Sequence, residues 1–345
     1  MKILPTTVWW ITLGPLVAVS GQAQMPDPPG HVGPGEKPKY EAYLFAHMMD
    51  GDYGRLYYSV SLNGSHWKLL NGGKRVFDAY HGHASICQGH DGRYYLVGNR
   101  GDDQPDINFW ASEDLVTWKK YSDYVPDLKQ VPDYTNVLPR IGAPKLFYDQ
   151  ASSQYLLTWH TPHNLGRTDL PEPYWASQHT LFVTSKDLVT FSQPPRKFFS
   201  WDMATIDVIV QREGAVYYAV IKDERYPTLD WTTGKTIRIC RASTLLGPYS
   251  EPGAPVSPNF REAPTLIPSP NGKAWYLYYE QYPGVAYGLS VAATLAGPWF
   301  QVAGNQRPAW DKFHIPPNVR HGSMLPISRS QYDALAAVFG KGMPP

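Results

Sequence analysis

The chain has 345 residues, with 31 basic and 30 acidic side chains, 43% hydrophobic and 18% charged positions. That is enough apolar material for one large β domain or two smaller domains, and the even charge argues against a nucleic-acid binder that works by neutralising phosphates. The 33 prolines, nearly twice the usual share of about 5%, and the 24 Tyr and 12 Trp argue against a helical bundle and for many short strands joined by turns.

At the N-terminus, Lys2 is followed by an apolar stretch from Val8 to Val19 and by the small residues Gly21 and Ala23, the pattern of a secretory signal peptide over 1–23. The stretch is shorter than the roughly 20 residues of a spanning helix, so a secreted or periplasmic protein with no membrane span is expected. Residues 24–39 are rich in Pro and Gly and read as an extended leader. One domain is expected over 40–345, and Cys87 and Cys240, far apart in apolar runs, read as buried free thiols.

A theme recurs five times along the rest of the chain: SLNGSHW from Ser61, SEDLVTW from Ser112, SKDLVTF from Ser185, ASTLLGPY from Ala242 and AATLAGPW from Ala292. Ahead of most copies a turn precedes an aromatic strand, at Asp91-Gly92, Ser152-Ser153, Glu213-Gly214 and Asn271-Gly272. Each unit therefore reads as a small antiparallel sheet. Stacked round an axis, these units predict an all-β, five-bladed β-propeller, with Tyr43 to His47 and Gly322 to Pro326 meeting in a closing blade.

In such a ring, residues just before each innermost strand converge on an axial pocket. Those segments read YHGHASIC (80–87), RIGAPKLF (140–147), MATIDVIV (203–210), FREAPTLI (260–267) and NVRHGSML (318–325). Asp207 and Glu262 each lead into an apolar strand, where a carboxylate is costly unless paired. Structural ion pairing is one reading of them. Two carboxylates facing one pocket, the minimum apparatus for glycoside hydrolysis, is the other.

Over nearly the whole of 40–345 the chain resembles glycoside hydrolase family 43 and its relatives, five-bladed propellers that cleave furanosides and xylosides with inversion. The matching segments are YLFAHM with YYSVSLNGSHWKLLNGG, APKLFYD, TIDVIV, EAPTLI and RHGS. The resemblance implies Glu262 as proton donor, Asp207 as the modulator that orients it, and His321 facing a central hydrated ion. It departs where the family has an Arg-Asp-Pro triplet whose Asp activates water, because His83 stands there. Lys145 likewise stands where Glu or Gln is usual. Three explanations stay open: His83 is the base, another acidic group such as Asp78 or Asp102 reaches the water, or hydrolysis is lost and the pocket only binds sugar.

The rings of Tyr80, Trp110, Trp159, Trp175, Trp201 and Tyr282 suit sugar faces, and His81, Lys145, His160 and Arg320 join Trp159 and Tyr282 as candidate substrate-binding residues. The histidines His81, His83, His160, His163 and His179 lack the His-x-x-x-His spacing of a helical zinc site, and Lys222-Asp223-Glu224 with Arg225 reads as a solvated charge cluster. The expectation is a monomeric, exo-acting hydrolase that frees arabinofuranose, xylose or galactofuranose from a polysaccharide. No cofactor is required beyond a calcium or sodium ion in the channel. The alternatives are a polysaccharide lyase using a pocket His, or a carbohydrate-binding propeller without catalysis.

Overall fold

The computed structural model describes residues 25–101, 104–134, 140–163, 169–304 and 312–340. The leader at 1–23 and Asp102 lie outside the described residues. Strands follow one another blade by blade. The first sheet takes β1 (Ala42–Met49), β2 (Asp52–Ser61) and β3 (Lys68–Leu69). The second holds β4 (Ser85–Gln88), β5 (Tyr94–Asn99), β6 (Ile107–Ser112) and β7 (Lys119–Tyr124). The third holds β8 (Gly142–Asp149), β9 (Gln154–Pro162), β10 (Gln178–Ser185) and β11 (Arg196–Lys197). The fourth holds β12 (Thr205–Glu213), β13 (Val216–Asp223) and β14 (Thr236–Ala242). The fifth holds β15 (Arg261–Pro268), β16 (Trp275–Gln281), β17 (Tyr287–Ala292) and β18 (Phe300–Val302).

The last strand, β19 (Val319–Ile327), returns to pair with β1, so the first blade is ordered β19-β1-β2-β3. Tyr43 lies opposite Pro326 and His47 opposite Gly322. This is the predicted closing blade, and the five sheets form the predicted propeller.

The sequence repeat is a repeated turn. Ser112 Oγ accepts the Leu115 N–H at 2.9 Å, and Asp114 Oδ1 accepts from Val116 and Thr117 at 2.9 and 2.8 Å. Ser185 and Asp187 do the same for Leu188, Val189 and Thr190. In both turns the leucine is left-handed, at φ 65° and 58°, a strain the side-chain bonds hold in place. Between neighbouring blades lie apolar layers, such as Leu44, Tyr58, Leu96 and Trp110 between the first and second and Phe182, Phe198, Val210 and Tyr249 between the third and fourth. Both faces of each sheet are thus covered, which is why β1 is buried almost throughout.

Near the axis the blades are stitched by hydroxyls. Ser323 Oγ accepts from Ile86 N at 3.0 Å, Ser85 Oγ from Leu146 N at 3.1 Å and Thr265 Oγ1 from Met324 N at 2.8 Å. Beside this level the inner strand bulges in four of the five blades. Pairing breaks between Gly142 and Lys145, Ile206 and Ile209, and Glu262 and Thr265, and His321 has no partner opposite on β1. At the bulges Ala143, Asp207, Ala263 and His321 have φ of 40°, 53°, 48° and 24°. A bulge re-aims its side chain, here towards the axis. His83, two residues before Ser85, holds the same level in the second blade.

Among the described residues there are two α-helices, the short α1 (Pro173–Ala176) and α2 (Arg329–Phe339), and two 3-10 turns, Asn71–Gly73 and Leu128–Gln130. Among the described residues no helix is long and apolar enough to cross a membrane.

Candidate active site

The five inner strands end round a cavity of about 470 Å³. At its buried end are His83, Asp207, Glu262 and His321, and its walls carry Lys222, Glu224, Lys235 and Arg320. The partly exposed rings of Tyr53, Trp175, Tyr226 and Tyr282 line it as well, Trp175 being supplied by α1. A larger cavity of about 590 Å³ lies against β14 and contains none of the candidate site residues.

Glu262 is clasped from two sides. Its Oε2 accepts from Lys222 Nζ at 2.9 Å and its Oε1 meets His321 Nε2 at 3.0 Å, with Arg320 Nη2 at 3.6 Å. Burial pushes this carboxyl up, but Lys222 and His321 outweigh burial and hold it well below the usual range. For His321, burial works against the charged form, but Glu280 and Glu262 prevail and lift its pKa to about 9. The pair is therefore an imidazolium and a carboxylate. Glu280, opposite Glu262 on β16, accepts Arg320 Nε at 2.5 Å and the His321 N–H at 2.9 Å.

Asp207 Oδ2 accepts the Ala263 N–H at 3.0 Å, a bond that fixes the backbone next to Glu262. Asp207 is level with Ala263, so the two carboxylates sit one residue out of step between blades. His83 Nε2 lies 2.5 Å from Tyr53 Oη, and its ring meets that of His321 edge-on at 4.5 Å. Burial, reinforced by the charge of His321, holds the His83 pKa well below its ordinary value, so the ring is neutral.

Of the remaining candidates, His160, Tyr282 and Arg320 line the cavity. Gly142 makes room for His160: a Cβ at that position would stand 2.0 Å from His160 Nε2. His81, Lys145 and Trp159 do not line it. His81 is turned to the Asn99 carbonyl at 3.0 Å. Trp159 is core filling against Tyr124, because its place in β9 faces the layer between blades. Lys145 is buried, its Nζ has no hydrogen-bond partner, and burial lowers its pKa. Asp78 is an exposed partner of Arg75, and His163 and His179 line a separate cavity of about 370 Å³ with Asp202.

Lys222-Asp223-Glu224, read from sequence as solvated, is buried instead. The run continues the apolar strand VYYAVI into the axis, and its charges are matched there. Lys222 Nζ lies 2.9 Å from both Glu224 and Glu262, Lys235 contacts Glu224 and lies 2.6 Å from Glu172, and Asp223 binds Arg225 and Arg238, each at 2.7 Å. Sequence reasoning also missed Tyr53, Lys235 and Glu280, which stand in strands or loops outside the inner-strand entries.

The calcium or sodium ion expected in the channel needs several oxygen donors. The axial donors are His83, Asp207 and His321, one atom of each within 4.8 Å of the others. Two imidazoles and one carboxylate do not suit a hard cation. The other close group, Glu262, Glu280 and His321, is committed to ion pairs with Lys222 and Arg320.

Residues 38–333 match the family described as "Probable glycosyl hydrolase domain", related to glycosyl hydrolase family 43. The chain belongs to this family. It is accordingly a glycoside hydrolase acting on O-glycosyl bonds, with the pocket just described at its axis. Among solved structures it is similar to a thermostable family-43 glycoside hydrolase, at 19% identity and a TM-score of 0.48 over 65% of this chain and 72% of that one. It is also similar to an exo-β-1,3-galactanase from Phanerochaete chrysosporium, at 20% identity and a TM-score of 0.47, over 66% of this chain and about half, 52%, of the other. An α-L-arabinofuranosidase from Lactobacillus brevis shows 14% identity and a TM-score of 0.49, over 64% of this chain and 71% of that chain. No curated protein matches the chain.

Proposed function

We propose that this hydrolase is exported by residues 1–23 and acts as a monomer on chain ends, releasing a terminal sugar such as arabinofuranose, xylose or galactofuranose from a plant or microbial polysaccharide. The observation that carries the reading is the pocket's polarity: charged groups gather at the buried end while aromatic rings stay partly exposed. A terminal sugar presents hydroxyls to the charges, and the following residues leave across rings suited to sugar faces.

Glu262 is the proton donor. Lys222 is the largest of the influences that keep it ionised. A sugar whose hydroxyls draw that ammonium away frees the carboxyl to carry a proton to the leaving oxygen. Asp207 keeps Glu262 in place through the Ala263 N–H. His83 holds the water side, where the resemblance has its carboxylate.

The test is to incubate the protein with branched plant polysaccharides and identify the sugars released, comparing Glu262→Gln with Glu224→Gln. Monosaccharide release is expected, reduced about 10²–10⁴-fold by Glu262→Gln and less than about tenfold by Glu224→Gln. Oligosaccharides as the first products would overturn the chain-end reading, and full activity of Glu262→Gln would remove it as the donor.

A further inference from the structure

We propose that His83, Asp207 and His321 form a binding site for one divalent transition-metal ion, with zinc the best match. Asp207 and His321 stand at bulges of the fourth and first blades and His83 two residues before Ser85 in the second, while Ala143 and Ala263 at the bulges of the other two leave the axis open. One donor atom of each lies within 4.8 Å of the others. Shifts of about an ångström bring such atoms to the roughly 2.0–2.2 Å of zinc ligation.

The orientation of the two imidazoles is the second observation. Both Nε2 atoms are occupied, by Tyr53 Oη at 2.5 Å and by Glu262 Oε1 at 3.0 Å. Both Nδ1 atoms are buried without a hydrogen-bond partner, and the ion displaces to solvent the Nδ1 proton that the imidazolium of His321 carries. Metal-binding histidines have this arrangement: the far nitrogen bonds a carboxylate or other polar group, which fixes the ring and leaves the near nitrogen for the ion. Asp207 is held in turn by the Ala263 N–H. Two nitrogens and a carboxylate favour zinc and its neighbours over calcium.

All three residues line the cavity, so an ion held by them keeps an open position towards it, as catalytic zinc sites do. It would supply Lewis acidity on the water side, where this chain has His83 in place of the family's carboxylate. The site itself stands on geometry alone. Because binding is read without turnover, its failure is distinguishable from failure of the chain-end hydrolase reading.

The test uses the full chain, stripped with a chelator and titrated with Zn²⁺ and with Ca²⁺ by calorimetry, and with Co²⁺ by visible absorption. One Zn²⁺ per chain is expected, bound more tightly than Ca²⁺, with Co²⁺ giving the intense bands of a low-coordinate site. His83→Ala and Asp207→Asn should each weaken Zn²⁺ binding by at least about tenfold, with folding checked by near-ultraviolet circular dichroism. The Zn²⁺ against Ca²⁺ comparison on the unaltered chain needs no variant. Absence of saturable Zn²⁺ binding, preference for Ca²⁺, or a loss below tenfold in either folded variant would overturn the site.

Discussion

Glu262 and Glu224 share one ammonium group, Lys222, yet stand in opposite balance. Burial raises the carboxyl of Glu224 despite its two lysines, whereas Glu262 is held down by Lys222 and His321. The charged residues of the pocket thus act as a set, and exchanging one tests the others. The thiols are simpler. Both are free, Cys240 buried as expected and Cys87 only half-buried, and burial pushes Cys240 up to about 12 and raises Cys87 as well. At pH 8 a thiol with that pKa has a thiolate fraction about three orders of magnitude below that of an ordinary cysteine. A disulfide exchange reagent should therefore leave the native protein almost untouched and titrate both thiols after denaturation. Asp207, Glu262, His83 and His321 were legible in the sequence because they stand at the entries of the inner strands. Lys222 and Glu224 were not. A short charged run at a strand's end looks the same in water or in a core, and only the partners Glu262 and Lys235, distant in sequence, decide between them.

At the level of single strands, the hydroxyls of Ser85, Thr265 and Ser323 each take up a backbone N–H of the next blade. Removing one leaves a buried donor unsatisfied, at about 1–3 kcal/mol. Ser85→Ala and Thr265→Val should each lose that much in urea denaturation, with no new cavity large enough to explain it. The bulges beside them were half visible in the sequence. Ala143-Pro144 and Ala263-Pro264 have a proline inside a strand, which sheets tolerate at bulges. Aligning these two pairs puts Glu262 one position ahead of the level that Asp207 occupies. Asp207 and His321 adopt the same left-handed backbone without a proline after them, and there the sequence carried no sign of it.

Across the whole molecule, the fold was readable because a propeller repeats: five similar turns and four hairpin signals name the blades before any contact is known. What holds the ring is less local. Leu335 of α2 is fully buried in the layer shared by the first two blades, and Phe339 meets Tyr58 edge-on at 6.1 Å. Leu335→Ala should lower the unfolding free energy by about 2–5 kcal/mol. Because α2 contributes nothing to the axial cavity, activity per folded molecule should stay unchanged, a separation checked by thermal unfolding alongside assays well below the midpoint. The return of β19 has a different consequence. That strand both shuts the circle and delivers Arg320 and His321. Without it the first blade is unsealed, Glu280 loses Arg320 and His321, and Glu262 keeps only Lys222. The segment that shuts the ring is thus also the one that completes the cationic side of the pocket, beside Lys222 and Lys235.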